Sequence, residues 1–259
     1  MPQALSPLAR RILPLVDLTN VDDDCTVETA RALCEKARSL PVRVAAVCLR
    51  PAFVRVARET LAGTDIKVAT VINFPDAGIT PEMAGSSLDA SAHAALTRQA
   101  VADGADEVDL VFAWTSFIDG DRTGPLKVVE AVKAACGTAR LKVILESGIY
   151  PDPVILRAAC DAVIDAGADF LKTSTTRVSP AVTPEAFRVL VAASKAVGGI
   201  VGVKASGGVR TGDQAMQYVD IAADVLGMNW VTAQNFRIGA SKLVDNLLEP
   251  EVSDAAIGY

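Results

Sequence analysis

Eight short apolar, β-branched runs recur along the chain at 12–17, 42–48, 67–73, 107–112, 141–146, 170–173, 200–204 and 236–239, with helix-compatible segments between them. Near-continuous apolar strands alternating with helices describe a parallel sheet buried on both faces. Eight such units in 259 residues match the size of a closed (β/α)8 barrel, which needs about 250 residues. Segments such as 128–135 and 153–159 carry amphipathic helical spacing. Thr183-Pro184-Glu185-Ala186 reads as a helix start, with threonine as cap and proline in the first turn. No linker rich in Pro, Gly or Ser divides the chain, so residues 1–259 read as a single TIM-barrel domain. The tail at 250–259 and the stretch 76–92, which contains Gly85-Ser86-Ser87, read as flexible.

The composition excludes several classes of function. A net charge of −6 without a basic cluster argues against nucleic acid and anionic membranes as partners, while leaving a locally positive site for a small anion. Cys25, Cys34, Cys48, Cys136 and Cys160 are odd in number, widely spaced and without a C-x-x-C pair, which points to reduced thiols in a cytoplasmic setting and to no zinc site. Cys48, close after a strand, reads as a small core residue. There is no leader-like apolar segment after Arg10 and Arg11 and no run of ~18 apolar residues. The one histidine, His93, sits in an Ala-rich stretch and is expected on a helix surface. Zinc proteases and histidine-based triads are thereby removed.

Against that background the charges inside the apolar runs stand out. In 168–175, Lys172 shares a strand face with Ala168 and Phe170. Burial disfavours an ammonium and lowers its pKa, making the neutral, nucleophilic amine accessible. The alternative is a lysine that snorkels from a strand end. Two further runs carry the same oddity, at Lys204 and Lys142. An internal echo adds an acid: Gly104-Ala105-Asp106 precedes Glu107-Val108-Asp109 as Gly167-Ala168-Asp169 precedes Phe170-Leu171-Lys172. Asp109 and Lys172 therefore occupy equivalent inward positions. In a barrel all four groups converge near one mouth, where Lys142 and Lys204 would help keep Lys172 neutral and Asp109 would accept a proton. The competing reading is a buried ion-pair network, which an excess of lysines would stabilise poorly.

Two glycine-bearing loops follow the last two runs: Gly207-Gly208-Val209-Arg210, and Gly239-Ala240-Ser241-Lys242 opening a final helix. Their positions after strands seven and eight are where barrels commonly hold phosphate.

These residues resemble the deoxyribose-phosphate aldolases, class I aldolases that form a lysine Schiff base. The likeness runs through Asp17-Leu18-Thr19, Asn73-Phe74-Pro75, Gly104 to Asp109, Leu141 to Ile144, Ala168 to Thr175, Val201 to Arg210 and Arg237 to Ser241. It implies Lys172 as the Schiff-base lysine, Asp109 and Lys204 as a proton-relay pair, and Lys142, Thr175, Asp17 and Thr19 in support. It further implies phosphate binding by Gly207, Gly208, Gly239, Ser241 and Arg177, with Lys242 and the terminal Tyr259 as further candidates. The implied substrates are a sugar phosphate and aldehydes, with no metal or organic cofactor and a homodimeric assembly. The implied reaction is reversible cleavage of 2-deoxy-D-ribose 5-phosphate into acetaldehyde and glyceraldehyde 3-phosphate. The chain departs from the pattern at Thr176, where glycine is usual, and at Lys242, where a second serine is usual. Those departures keep a second substrate class open, that of unphosphorylated aldehydes or ketoses, beside a non-catalytic sugar-phosphate-binding barrel.

Overall fold

In a computed structural model, residues 5–75 and 87–248 are described. Strands β1 (Val16–Asn20), β2 (Ala46–Leu49), β3 (Lys67–Ile72), β4 (Glu107–Val111), β5 (Arg140–Ile144), β6 (Phe170–Lys172), β7 (Gly202–Ser206) and β8 (Phe236–Ala240) form one closed barrel. Each strand runs parallel to the next, and β8 pairs back onto β1 through Asp17 and Gly239. This is the (β/α)8 architecture the alternating runs require. The helices of the outer layer include α1 (Pro7–Ile12), α2 (Val27–Ser39), α3 (Val54–Thr60), α4 (Ala90–Ala102), α5 (Trp114–Ile118), α6 (Gly124–Cys136), α7 (Pro153–Asp165), α8 (Pro184–Ala196), α9 (Gly212–Leu226) and α10 (Leu243–Leu248). None of the described helices is long and apolar enough to cross a membrane.

Local chemistry sets the helix starts, which lie at the end of the barrel where the strands finish. Thr26 and Thr211 close capping boxes on α2 and α9, and Asp89, Asp152 and Thr183 each accept a first-turn N–H. Each such cap is worth about 1 kcal/mol and fixes the loop that feeds it. The Thr183-Pro184 start falls where the sequence places it.

Three strand starts move by two residues or more, and the fifth strand ends at Ile144 and not at 146. Residues 12–15 belong to the end of α1 and a following 3-10 turn, because Pro14 offers no N–H to a ladder. β2 starts at Ala46 rather than 42, beyond exposed Arg43. Ile200 is 81% exposed, and β7 starts at Gly202, where any Cβ would lie 2.4 Å from the Phe170 ring. The glycine lets that phenyl fill the lower barrel interior. His93 is a second correction: it lies on α4 as expected, but on the buried side, with Nε2 2.9 Å from Ser87 Oγ. His93 shares the buried face of this helix with Ala94, Thr97 and Ala100, opposite exposed Ser91, Arg98 and Gln99.

The echo also has a structural use. Asp106 accepts the Val68 N–H at 2.8 Å and Asp169 accepts the Leu141 N–H at 2.7 Å, each tying its own strand to the foot of the preceding one. Gly104 and Gly167, at φ +110° and +98°, make the turns that deliver these carboxylates. The expected loop at 76–92 lies outside the described residues as far as 86, and α4 begins at Ala90. The tail at 249–259, including Tyr259, also lies outside them.

Candidate active site

Period-two alternation turns Asp17, Glu107, Asp109, Lys142, Lys172, Lys204 and Arg237 into the barrel, where all are buried. Their contacts close a ring. Asp109 Oδ1 accepts from Lys142 Nζ at 2.8 Å, and Lys142 lies 2.6 Å from Glu107. Glu107 accepts from Arg237 at 2.7 Å, and Arg237 donates to Asp17 at 2.6 Å. Asp17 Oδ2 is 2.6 Å from Lys204, whose Nζ donates to Asp109 Oδ2 at 2.8 Å. Asp17–Lys204 and Lys142–Glu107 are ion contacts off the line of a hydrogen bond. The other four links are charge-assisted hydrogen bonds.

The ring holds three carboxylates and three cations, so it is balanced without Lys172. That lysine hangs from it by one bond, Nζ to Asp109 Oδ2 at 2.8 Å. Protonating Lys172 adds a buried charge that no carboxylate of the ring is left over to balance. The electrostatics follow the count. Burial pulls Lys172 below the ordinary lysine range and neighbouring Lys204 adds to the pull, opposed by Asp109. Burial acts on Lys142 and Lys204 too, but their carboxylate neighbours overcome it and raise both. Burial likewise works to raise Asp109, yet Lys142, Lys172 and Lys204 hold it well below the usual carboxylate range. The sequence reading counted one acid against three lysines. It missed Glu107 and Arg237 as ring members, although Glu107 shares a face with Asp109 and Arg237 interrupts an apolar strand as Lys172 does.

The hydroxyl run after Lys172 fixes the end of β6 on both sides. Thr173 Oγ1 and Ser174 Oγ donate to the Ser206 carbonyl, and Ser206 Oγ donates to the Ser174 carbonyl at 2.6 Å. On the other flank, Glu146 accepts from Thr175 N at 3.1 Å and from Thr175 Oγ1 at 2.6 Å. Glu146 is fully buried, has left-handed backbone at φ 55°, and is pushed up to about 7 by burial. No motif in the sequence marks it.

Lys172 lies in the wall of a cavity of about 90 Å3 that Thr19, Cys48, Phe74, Ser174, Thr175 and Ser206 also line. Cys48 is buried and its thiol is pushed up by burial, in keeping with a core role. Thr19 Oγ1 donates to the Asp17 carbonyl at 2.8 Å. A second cavity, about 300 Å3, is lined by Gly207, Gly208, Val209, Arg210, Ser241 and Lys242. Thr176, Gly239, Ala240 and Ser241 border both, so the two cavities are neighbours. Gly207 and Gly208 take φ +109° and +82°, and a Cβ on Gly207 would lie 2.5 Å from Ala181. The expected anion-binding residues thus gather at one place, with Arg210 as an addition.

Arg177 does not join them. It donates to the Val21 carbonyl at 3.1 Å, lies 3.5 Å from Asp22 and faces the Phe74 ring. Thr176 keeps the left-handed conformation, φ 71°, that its position demands of any residue. Among the described residues no cluster of His, Cys, Asp and Glu is arranged to hold a metal ion.

A closed barrel with a buried lysine of lowered pKa at its mouth is the setting in which the chain is compared with known proteins, and those comparisons give the family. The model for DeoC/LacD family aldolases matches residues 12–240, and the chain belongs to that family. Among solved structures, the tetrameric deoxyribose phosphate aldolase of Aeropyrum pernix is 26% identical. The alignment covers 93% of this chain and 89% of that one, with a TM-score of 0.70. A Toxoplasma gondii protein provisionally assigned as a deoxyribose-phosphate aldolase is 25% identical, with coverages of 93% and 94% and a TM-score of 0.80. A Coccidioides immitis protein of the same provisional assignment is 27% identical, with coverages of 94% and 87% and a TM-score of 0.74.

Proposed function

We propose that this family aldolase works through a Schiff base at Lys172 and reversibly cleaves 2-deoxy-D-ribose 5-phosphate into acetaldehyde and D-glyceraldehyde 3-phosphate. The observation that carries the reading is Lys172 standing outside a charge-balanced ring and against the substrate-sized space. Its neutral Nζ attacks the C1 aldehyde carbon, and the carbinolamine loses water to leave a protonated imine. The C3 hydroxyl gives up its proton, the C2–C3 bond breaks, and the electron pair moves to the imine nitrogen as an enamine. Glyceraldehyde 3-phosphate departs. Protonation of the enamine carbon and hydrolysis release acetaldehyde and regenerate the amine. Asp109, whose Oδ2 accepts from both Lys172 and Lys204, forms with Lys204 the proton-relay pair. The phosphate falls to the Gly207-Gly208 and Ser241-Lys242 loops, with Arg210 at their edge. By analogy with the tetrameric relative the protein is a homo-oligomer, and sedimentation would decide between dimer and tetramer.

The test is borohydride reduction in the presence of acetaldehyde, followed by peptide mass mapping. A permanent ethyl group on Lys172 is expected; an adduct only at another residue, or none in active protein, refutes the assignment. A second reading, preference for unphosphorylated substrates, draws on Arg177 being turned toward Val21 and away from the anion loops. Turnover of deoxyribose with and without its 5-phosphate separates the two. A kcat/KM ratio near one would favour the second.

A further inference from the structure

The ring reaches the opposite end of the barrel. Glu107 and Arg237 line a cavity of about 580 Å3 among Arg43, Asp65, Lys67 and Arg140, at the feet of the strands and away from the residues that surround Lys172. Neither borders either cavity at the mouth. Building on the Schiff-base reading, we infer that Glu107 and Arg237 are positioning residues that set the protonation of Lys172 from the far side of the barrel, through the charge balance of the ring.

Glu107 and Arg237 act on Lys172 with opposite sign. The groups facing Lys172 are Asp109 on β4, Lys204 on β7 and Cys48 on β2, with Glu146 beyond β5. Glu107 connects to Asp109 through Lys142, and Arg237 connects to Lys204 through Asp17. Losing Glu107 leaves the ring one positive charge in excess, which repels a proton from Lys172. Losing Arg237 leaves it one negative charge in excess, which invites that proton. A purely structural pair would lower yield or stability in both variants without moving the titration of Lys172 in opposite directions.

The experiment follows the pH dependence of acetaldehyde trapping by borohydride at Lys172, read by mass, with each variant compared to wild type at the same pH so that the reagent's own pH response cancels. With interior charges interacting at an effective dielectric of ~20, displacements on the order of one pH unit are expected. Glu107→Gln should move the acid limb to lower pH and Arg237→Met to higher pH. Arg237→Lys should keep the wild-type limb. The double variant Glu107→Gln/Arg237→Met, which restores the balance, should return to it. If Glu107→Gln does not fold, Asp17→Asn removes the same charge from the ring's other arm and must shift the limb the same way. Coincident limbs, or shifts of one sign in both single variants, overturn the inference. Absence of a Lys172 adduct in wild type would instead overturn the Schiff-base reading itself.

Discussion

Lys172 and Lys204 donate to the same oxygen of the same aspartate at the same 2.8 Å, yet the barrel treats them in opposite ways. Lys204 lies deeper and has Asp17 as a second carboxylate, so its charge is held; Lys172, at the mouth, shares one carboxylate and loses out to burial. Distance to the nearest acid therefore does not decide which lysine's pKa falls. The number of carboxylates per cation does. A buried ion pair is a poor stabiliser by itself, and removing one partner leaves a costly orphan.

The largest effect that could break this contrast is on catalysis. Lys172→Leu should lower aldol cleavage on the order of 10^4-fold or more, the scale of losing a nucleophile, without lowering the midpoint of thermal unfolding. A fall in stability to match would show that Lys172 belongs to the ring after all. Lys204→Met should do the reverse in stability, costing about 3–5 kcal/mol in denaturant titrations because Asp17 and Asp109 lose a shared cation. That penalty should shrink in acid. The depressed pKa values of both aspartates contribute stability that is complete above 3.8 and lost as pH falls below it.

Glu146 sharpens the comparison from the neutral side. Its pKa rises from 4.5 unfolded to about 7 folded, so the folded chain holds this proton more tightly. Its contribution is present below pH 4.5 and declines as pH rises through 7, by about 3 kcal/mol at most. Glu146→Gln should flatten the stability profile between those values, as chemical unfolding at a series of pH values would reveal; an unchanged slope would contradict the raised pKa. The smallest effect concerns the mouth itself. Thr176→Gly should relieve a left-handed β-branched residue and raise stability by about 1 kcal/mol in thermal unfolding.

What the sequence could show tracks the range of the forces involved. The eight strands and the inward lysines were legible because burial and period-two alternation are local signals. Asp109 was visible through its echo, while Glu107, two residues earlier on the same face, needed only the same rule applied once more. Arg237 carried the mark of a cation inside an apolar strand. Glu146 left no such mark, since its site depends on a left-handed turn beyond β5 and on Thr175, 29 residues away. The direction of Arg177 was equally hidden. It is fixed by the Val21 carbonyl, 156 residues distant, and a side chain of that length has no preferred bearing until its partner arrives.

Closure of the ring has a consequence in time. Its members come from β1, β4, β5, β7 and β8, so the circuit is complete only when the last strand has docked beside the first. On the Schiff-base reading, the reactivity of Lys172 belongs to the closed barrel and to no shorter piece of it, because the groups that lower its pKa are brought together only when that final seam shuts.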